Sequence, residues 1–184
     1  MGRTIQYMSP DEIKFGFRRD AVKVLSTVGW KAAYAAYKAK TFTNRTFNLH
    51  DSYGSAVYVY GTLIDDSIRY ANRSRSNKKS TRNTHLGKTG REALDAYFKR
   101  NHFGGKNTEI VLVVVAAMWY ADILQKKGYT VIKGVAYQTI AKEIDNAMLP
   151  VFKKWGIKPY SMSRVIGIGQ DLDYYHGVKG RQHK

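Results

Sequence analysis

The apolar pattern of the chain is densest over residues 108–133, TEIVLVVVAAMWYADILQKKGYTVIK. It opens at 110–115 with large aliphatics that are almost all β-branched. Such side chains fit a pleated strand, and a run without polar interruption fits a strand covered on both faces. From Ala116 the residue types change to Ala, Met, Trp, Tyr, Ile and Leu, which predicts a short helix with Lys126 and Lys127 at its C-terminal end. Gly128 is the expected left-handed stop, and 129–132 reads as a second short strand. The apolar part of this stretch is 12 residues, 110–121, before Asp122 interrupts it. A bilayer span needs about 20, so the stretch is expected to form the core of a soluble domain.

Upstream, Ser9-Pro10-Asp11-Glu12 is a helix start: Ser9 can cap, Pro10 suits the first turn and Glu12 can complete a capping box. Ile13, Phe17, Ala21, Val24, Val28, Ala32 and Ala35 then recur at steps of three and four, so the helix is expected to reach about Lys40. Lys14, Arg18, Arg19, Lys23, Lys31 and Lys38 decorate its other faces as a solvated surface. After a polar connection, 53–60 (YGSAVYVY) reads as a strand; Gly61-Thr62 turns the chain and 64–70 returns antiparallel, with Asp65 and Asp66 marking an exposed edge. A short amphipathic helix is predicted over 91–100 through Ala93, Leu94, Tyr97 and Phe98. A second long helix fits 135–149, with Ala136, Ile140, Ile144, Ala147 and Met148 as its buried stripe, and Pro150 is expected to kink or end it. Residues 156–184, rich in Gly, Tyr and basic residues without periodicity, read as a C-terminal extension that orders against a partner. The fold class expected is α+β: two long helices packed on a small, mainly antiparallel sheet, with a long basic loop and an extended tail.

Charge sharpens this picture. The 184 residues carry a net charge of +17, a field that favours phosphate backbones or acidic protein surfaces. Much of it lies in 69–106, where 11 Lys or Arg face only Glu92 and Asp95. Residues 72–90 within it are nearly devoid of apolar side chains and read as a long loop. Arg69, Arg73, Arg75, Lys78, Lys79, Arg82 and Lys88, interleaved with Ser, Thr and Asn, are the candidate contacts to phosphates or an acidic protein. That segment lacks the interleaved aromatics of a single-strand stacking platform. The aromatic content of 13% argues against wholesale disorder, and the absence of cysteine removes disulfides and thiolate metal sites. The N-terminus has no apolar signal core and Gln6 breaks the myristoylation pattern, so cytoplasmic synthesis is expected.

Catalytic patterns are weak. Gly87-Lys88-Thr89 ends like a P-loop, but Arg82 stands where its first glycine belongs and no apolar strand precedes it. Gly167-Ile168-Gly169 reads as a turn. His50, His85, His102, His176 and His183 are scattered without metal-ligand spacing, and Asp122, Glu143 and Asp145 read as helix-surface carboxylates. Asp65 and Asp66, adjacent on an expected strand, would face opposite sides. No serine or threonine sits in a nucleophile elbow. Nothing here points to an enzyme, a metal or a cofactor.

One segment is more specific. TFNLHDSYGSAVYVYG, following a long N-terminal helix, resembles the neck or tail-completion (head–tail connector) proteins of tailed bacteriophages, in which such a helix leads into Thr-Gly-x-Leu-x-x-Ser and a strand. Thr46, Leu49 and Ser52 match, with Phe47 where the family usually has glycine. The family's second block, a strand entering a helix that begins Tyr-Ala and ends in glycine, is similar to Tyr120, Ala121 and Gly128. The resemblance covers roughly residues 9–155 of a domain expected over 1–155, with the basic insertion at 72–107 and the extension at 156–184 outside it. It implies a structural virion protein, not an enzyme, that forms part of the connector ring. Its partners are copies of itself, portal or adaptor proteins, tail proteins and packaged DNA held by phosphate contacts. It implies assembly in the host cytoplasm and a final place at the head–tail junction. The alternative from another class is a basic nucleic-acid-binding protein that does not read sequence.

Overall fold

The computed structural model describes residues 8–42, 48–72, 90–105, 110–118, 120–132 and 134–158. Helix α1 runs over Pro10–Ala39. Its start is a capping box: Glu12 N–H donates to Ser9 Oγ (3.2 Å) and Ser9 N–H to Glu12 Oε2 (2.6 Å). A single turn, α2 (Asn48–Asp51), leads into strand β1, Tyr53–Val59. The chain turns at Tyr60 and Gly61, both at positive φ (50° and 80°), and β2 (Thr62–Leu63) pairs back on β1. Two central residues with positive φ match the right-handed twist of a hairpin.

The return expected over 64–70 is not one strand. Pairing resumes earlier, at β2, a 3₁₀ turn at Asp65–Ser67 then interrupts it, and within the expected span only β3, Arg69–Tyr70, is strand. The interruption costs the ladder little because Ser67 fills the gap. Val57 N–H donates to Ser67 Oγ (2.7 Å), Ser67 Oγ lies 2.6 Å from Ile64 O, and Ile64 N–H donates to Val57 O (3.0 Å). A side-chain hydroxyl thereby stands in for missing strand backbone.

On its other edge β1 pairs antiparallel with β4, Ile110–Ala116, from Tyr53↔Ala116 to Val59↔Ile110. Every residue of β4 is buried, as an uninterrupted aliphatic run requires. Its alternate positions enter two cores. Ile110, Leu112, Val114 and Ala116 join Tyr53 and Val57 beneath α1; Val111, Val113 and Val115 join Ala56 and Tyr58 against α3, Gly90–Arg100. Ala93, Leu94, Tyr97 and Phe98 of α3 are buried as its periodicity predicts. The domain is α+β, with helices on both faces of a small antiparallel sheet.

Helix α5, Val135–Trp155, packs along α1 in the antiparallel sense, joined by Lys154–Asp20 at one end and Lys31–Glu143 (2.7 Å) farther along. It continues through Pro150, so the proline does not end it. The buried side of α1 keeps Ala21, Val28 and Ala32 of the stripe expected and adds Gly16, Leu25, Ser26, Gly29, Ala33 and Ala36, whereas Ile13, Phe17, Val24 and Ala35 are only partly buried. Small residues let α1 approach its neighbours closely. A Cβ on Gly29 would lie 2.6 Å from Leu112 Cδ1 and 2.7 Å from Ser55 Oγ.

The expected helix from Ala116 begins later, as α4, Ala121–Lys126. Ala116 still pairs with Tyr53, and Ala117 N–H donates to Ser52 O (3.1 Å), which holds the chain extended past the end of the strand. Gly128, at φ 85°, stops α4, with Gly128 N–H on Gln125 O and Tyr129 N–H on Leu124 O. The strand expected at 129–132 does not form. Side chains take its backbone groups instead: Thr130 N–H donates to Thr41 Oγ1, Ile132 N–H to Gln125 Oε1, and Val131 O accepts from Tyr53 OH. Among the described residues no helix is long and apolar enough to cross a membrane.

Candidate functional site

The fold joins the two sequence blocks separated by the basic segment. Leu49 N–H donates to Tyr120 Oη (3.1 Å), across 71 positions of chain. Ser52 closes the turn beneath it, with Ser52 N–H and Oγ–H both donating to Leu49 O (3.1 and 2.9 Å). Ser52 and Leu49 are 0% and 2% exposed, and Ala121 is buried beside them. Gly128 lies one helix away as the stop of α4. These residues build a joint between α2, β1 and the β4–α4 turn. They hold backbone in place. Thr46 lies outside the described residues.

A polar network that the sequence did not suggest surrounds this joint. Tyr37 of α1 approaches His50 Nε2 at 2.5 Å, and His50 Nδ1 lies 3.1 Å from Asp51 Oδ1. Asn72 Nδ2 donates to Asp51 Oδ1 (2.7 Å) and lies 3.2 Å from His50 Nδ1. The Asp51 carboxylate can only accept, so the proton between it and His50 belongs to Nδ1. Nε2 faces the Tyr37 hydroxyl, and the Asn72–His50 approach is then donor to donor. Burial, and secondarily the charge of Asp51, raises the Tyr37 hydroxyl pKa above its ordinary value, which keeps the phenol protonated as the donor. The arrangement ties α1, α2 and the chain at Asn72 to one another.

The same network holds the chain ends that flank 73–89. Arg91 donates to Asn72 O (3.1 Å), its guanidinium lies 4.1 Å from the centre of the Tyr70 ring, and Tyr70 O–H donates to Asp95 Oδ1 (2.6 Å). Arg73, Arg75, Lys78, Lys79, Arg82 and Lys88 lie outside the described residues, as does the 159–184 part of the extension. Of the candidate contacts only Arg69 is described. It is exposed, and it donates to Asp66 O (2.7 Å) and Ile68 O (2.9 Å), bracing the 3₁₀ turn. Asp65 and Asp66 are exposed on that turn and not on a strand. Among the described residues no group of three His, Asp or Glu is placed to hold a metal ion.

Sequence reasoning also passed over the aromatic side of α1. Trp30 and Tyr34 stack with ring centres 5.4 Å apart, Tyr34 and Tyr37 follow at 5.9 Å, and His50 meets Tyr37 edge-on at 4.4 Å. Lys38 Nζ lies 5.7 Å from the Tyr34 ring centre and Lys40 Nζ 4.1 Å from that of Tyr37. The spacing of 30, 34 and 37 was the signal available, since residues three and four apart share a helix face. No family model, curated protein or solved structure matches the chain.

Proposed function

We propose that this chain is a structural subunit of the head-to-tail connector, or neck, of a tailed bacteriophage. It assembles as a ring with copies of itself, on portal or adaptor proteins and beneath tail proteins, and extends the DNA channel. The observation that supports the reading is the joint itself. Leu49 and Ser52 meet Tyr120 and Ala121 through one hydrogen-bonded turn, so two blocks resembling the family's motifs are parts of a single construction. A joint whose polar groups are engaged in holding backbone fits a building block. Six of the basic residues assigned to partner contact fall in 73–89, where no carboxylate offsets them, and such a segment suits packaged DNA or an acidic portal face.

Native mass spectrometry of the purified protein, alone and mixed with portal-complex proteins at moderate salt, tests the reading. A discrete closed multimer, or stoichiometric addition to a portal assembly, is the expected result. A monomer that ignores the portal complex under the same conditions would overturn it.

A further inference from the structure

Residues 30–40 read WKAAYAAYKAK, in which the rings at 30, 34 and 37 alternate with Lys31, Lys38 and Lys40. We propose that this strip of α1 binds single-stranded nucleic acid, with bases stacking on the Trp30–Tyr34–Tyr37 ladder and phosphates held by Lys38 and Lys40. Stacking surfaces flanked by cations are the chemistry that sequence-tolerant single-strand binding uses. The ladder covers about 10 Å of helix axis, with Trp30 and Tyr37 partly buried at its ends and Tyr34 outermost. Tyr34, at its centre, is 37% exposed.

The charges around the strip are arranged for an anion. Lys31 is matched by Glu143 and Asp51 is turned toward His50 and Asn72. Lys38 and Lys40 have no carboxylate within 4.0 Å among the described residues. Burial, and secondarily Lys38, holds the Lys40 ammonium below its ordinary pKa, and an anion beside it favours the charged form. Lysines at a helix C-terminus also answer the helix dipole, but that role needs no rings beneath them. An acidic protein would satisfy the lysines alone; the ladder of rings selects for bases.

The inference does not rest on the connector reading, which fails or holds on oligomeric mass. Its test is fluorescence anisotropy of the full-length protein with labelled oligothymidine of about 15 nucleotides, against inorganic polyphosphate of matched charge as competitor. Oligothymidine is expected to outcompete polyphosphate. Tyr34→Ala is expected to weaken binding about five- to a hundredfold while Tyr34→Phe retains it, and joint Lys38→Gln and Lys40→Gln substitution is expected to flatten the salt dependence. Polyphosphate competing as well as oligothymidine, or Tyr34→Ala binding like the native protein, would overturn the proposal. The exposed position of Tyr34 leaves the core intact in both variants, which circular dichroism checks.

Discussion

Gly16 shows how much of this molecule rests on missing side chains. The Trp155 indole lies directly over it, so that a Cβ would sit 1.9 Å from Trp155 Cη2. Alanine is the better helix former by about 0.5–1 kcal/mol, yet the clash is larger. Gly16→Ala is expected to lower stability by about 1–3 kcal/mol, read as a lower urea midpoint at unchanged slope. A midpoint equal to or above the native one would mean that the indole swings aside freely. Such positions were hard to read from sequence for a physical reason. Hydrophobic periodicity finds large apolar residues, whereas α1 buries Gly16, Gly29, Ala33 and Ala36 because they are small. Ser67 was opaque for a related reason: its value lies in a hydroxyl that replaces strand backbone, which no propensity encodes.

Between elements, the pairing of α1 with α5 is tied at one end by Asp20. It accepts from Trp155 Nε1 (3.0 Å) and from Lys154 Nζ (2.5 Å). The Lys154 hydrogen bond, followed by that of Trp155, lowers its pKa from 3.8 to about 2. A lowered folded-state value means that the contribution is fully present above pH 3.8 and is lost as pH falls through about 2. The gap in urea midpoint between the native protein and Asp20→Asn is therefore expected to close on acidification from about pH 5 to pH 2. A gap that holds constant over that window would remove Asp20 ionisation as the cause. The elements most legible in the sequence were those whose own residues decide them. The aliphatic run of β4, the capping box of α1 and the stripes of α3 and α5 need no distant partner to be read. The segment at 129–132 looked like a strand by composition, but Thr41, Gln125 and Tyr53 claim its backbone groups from elsewhere in the chain.

Across the whole molecule, charge and fold are largely separate. The basic count pointed to a polyanionic partner, and the sequence placed the contacts in one segment. The structure adds an aromatic face on α1 that nearby lysines frame, whose one sign in the sequence was the spacing of 30, 34 and 37 along an expected helix. The meeting of Leu49 and Ser52 with Tyr120 was likewise invisible along the chain, because the hydrogen bond spans 71 positions. The Tyr37–His50–Asp51–Asn72 network draws on three separate stretches, and only adjacent His50 and Asp51 were a local sign of it.

The bond from Arg91 to the carbonyl of Asn72 has a further consequence for engineering. It ties Asn72 to Arg91, the described residues next to the two ends of 73–89, so any segment placed between them closes a span whose ends are already held. Closure entropy grows slowly, by about 0.6 kcal/mol per doubling of length. Replacing 73–89 with a neutral Gly-Ser linker of half the length is expected to leave the melting temperature within a few degrees of native while removing six positive charges. A collapse of the melting temperature would mean that the segment is knitted into the core. A stable loop-swapped chain would give a scaffold in which charge can be restored one residue at a time and its work measured without disturbing the fold.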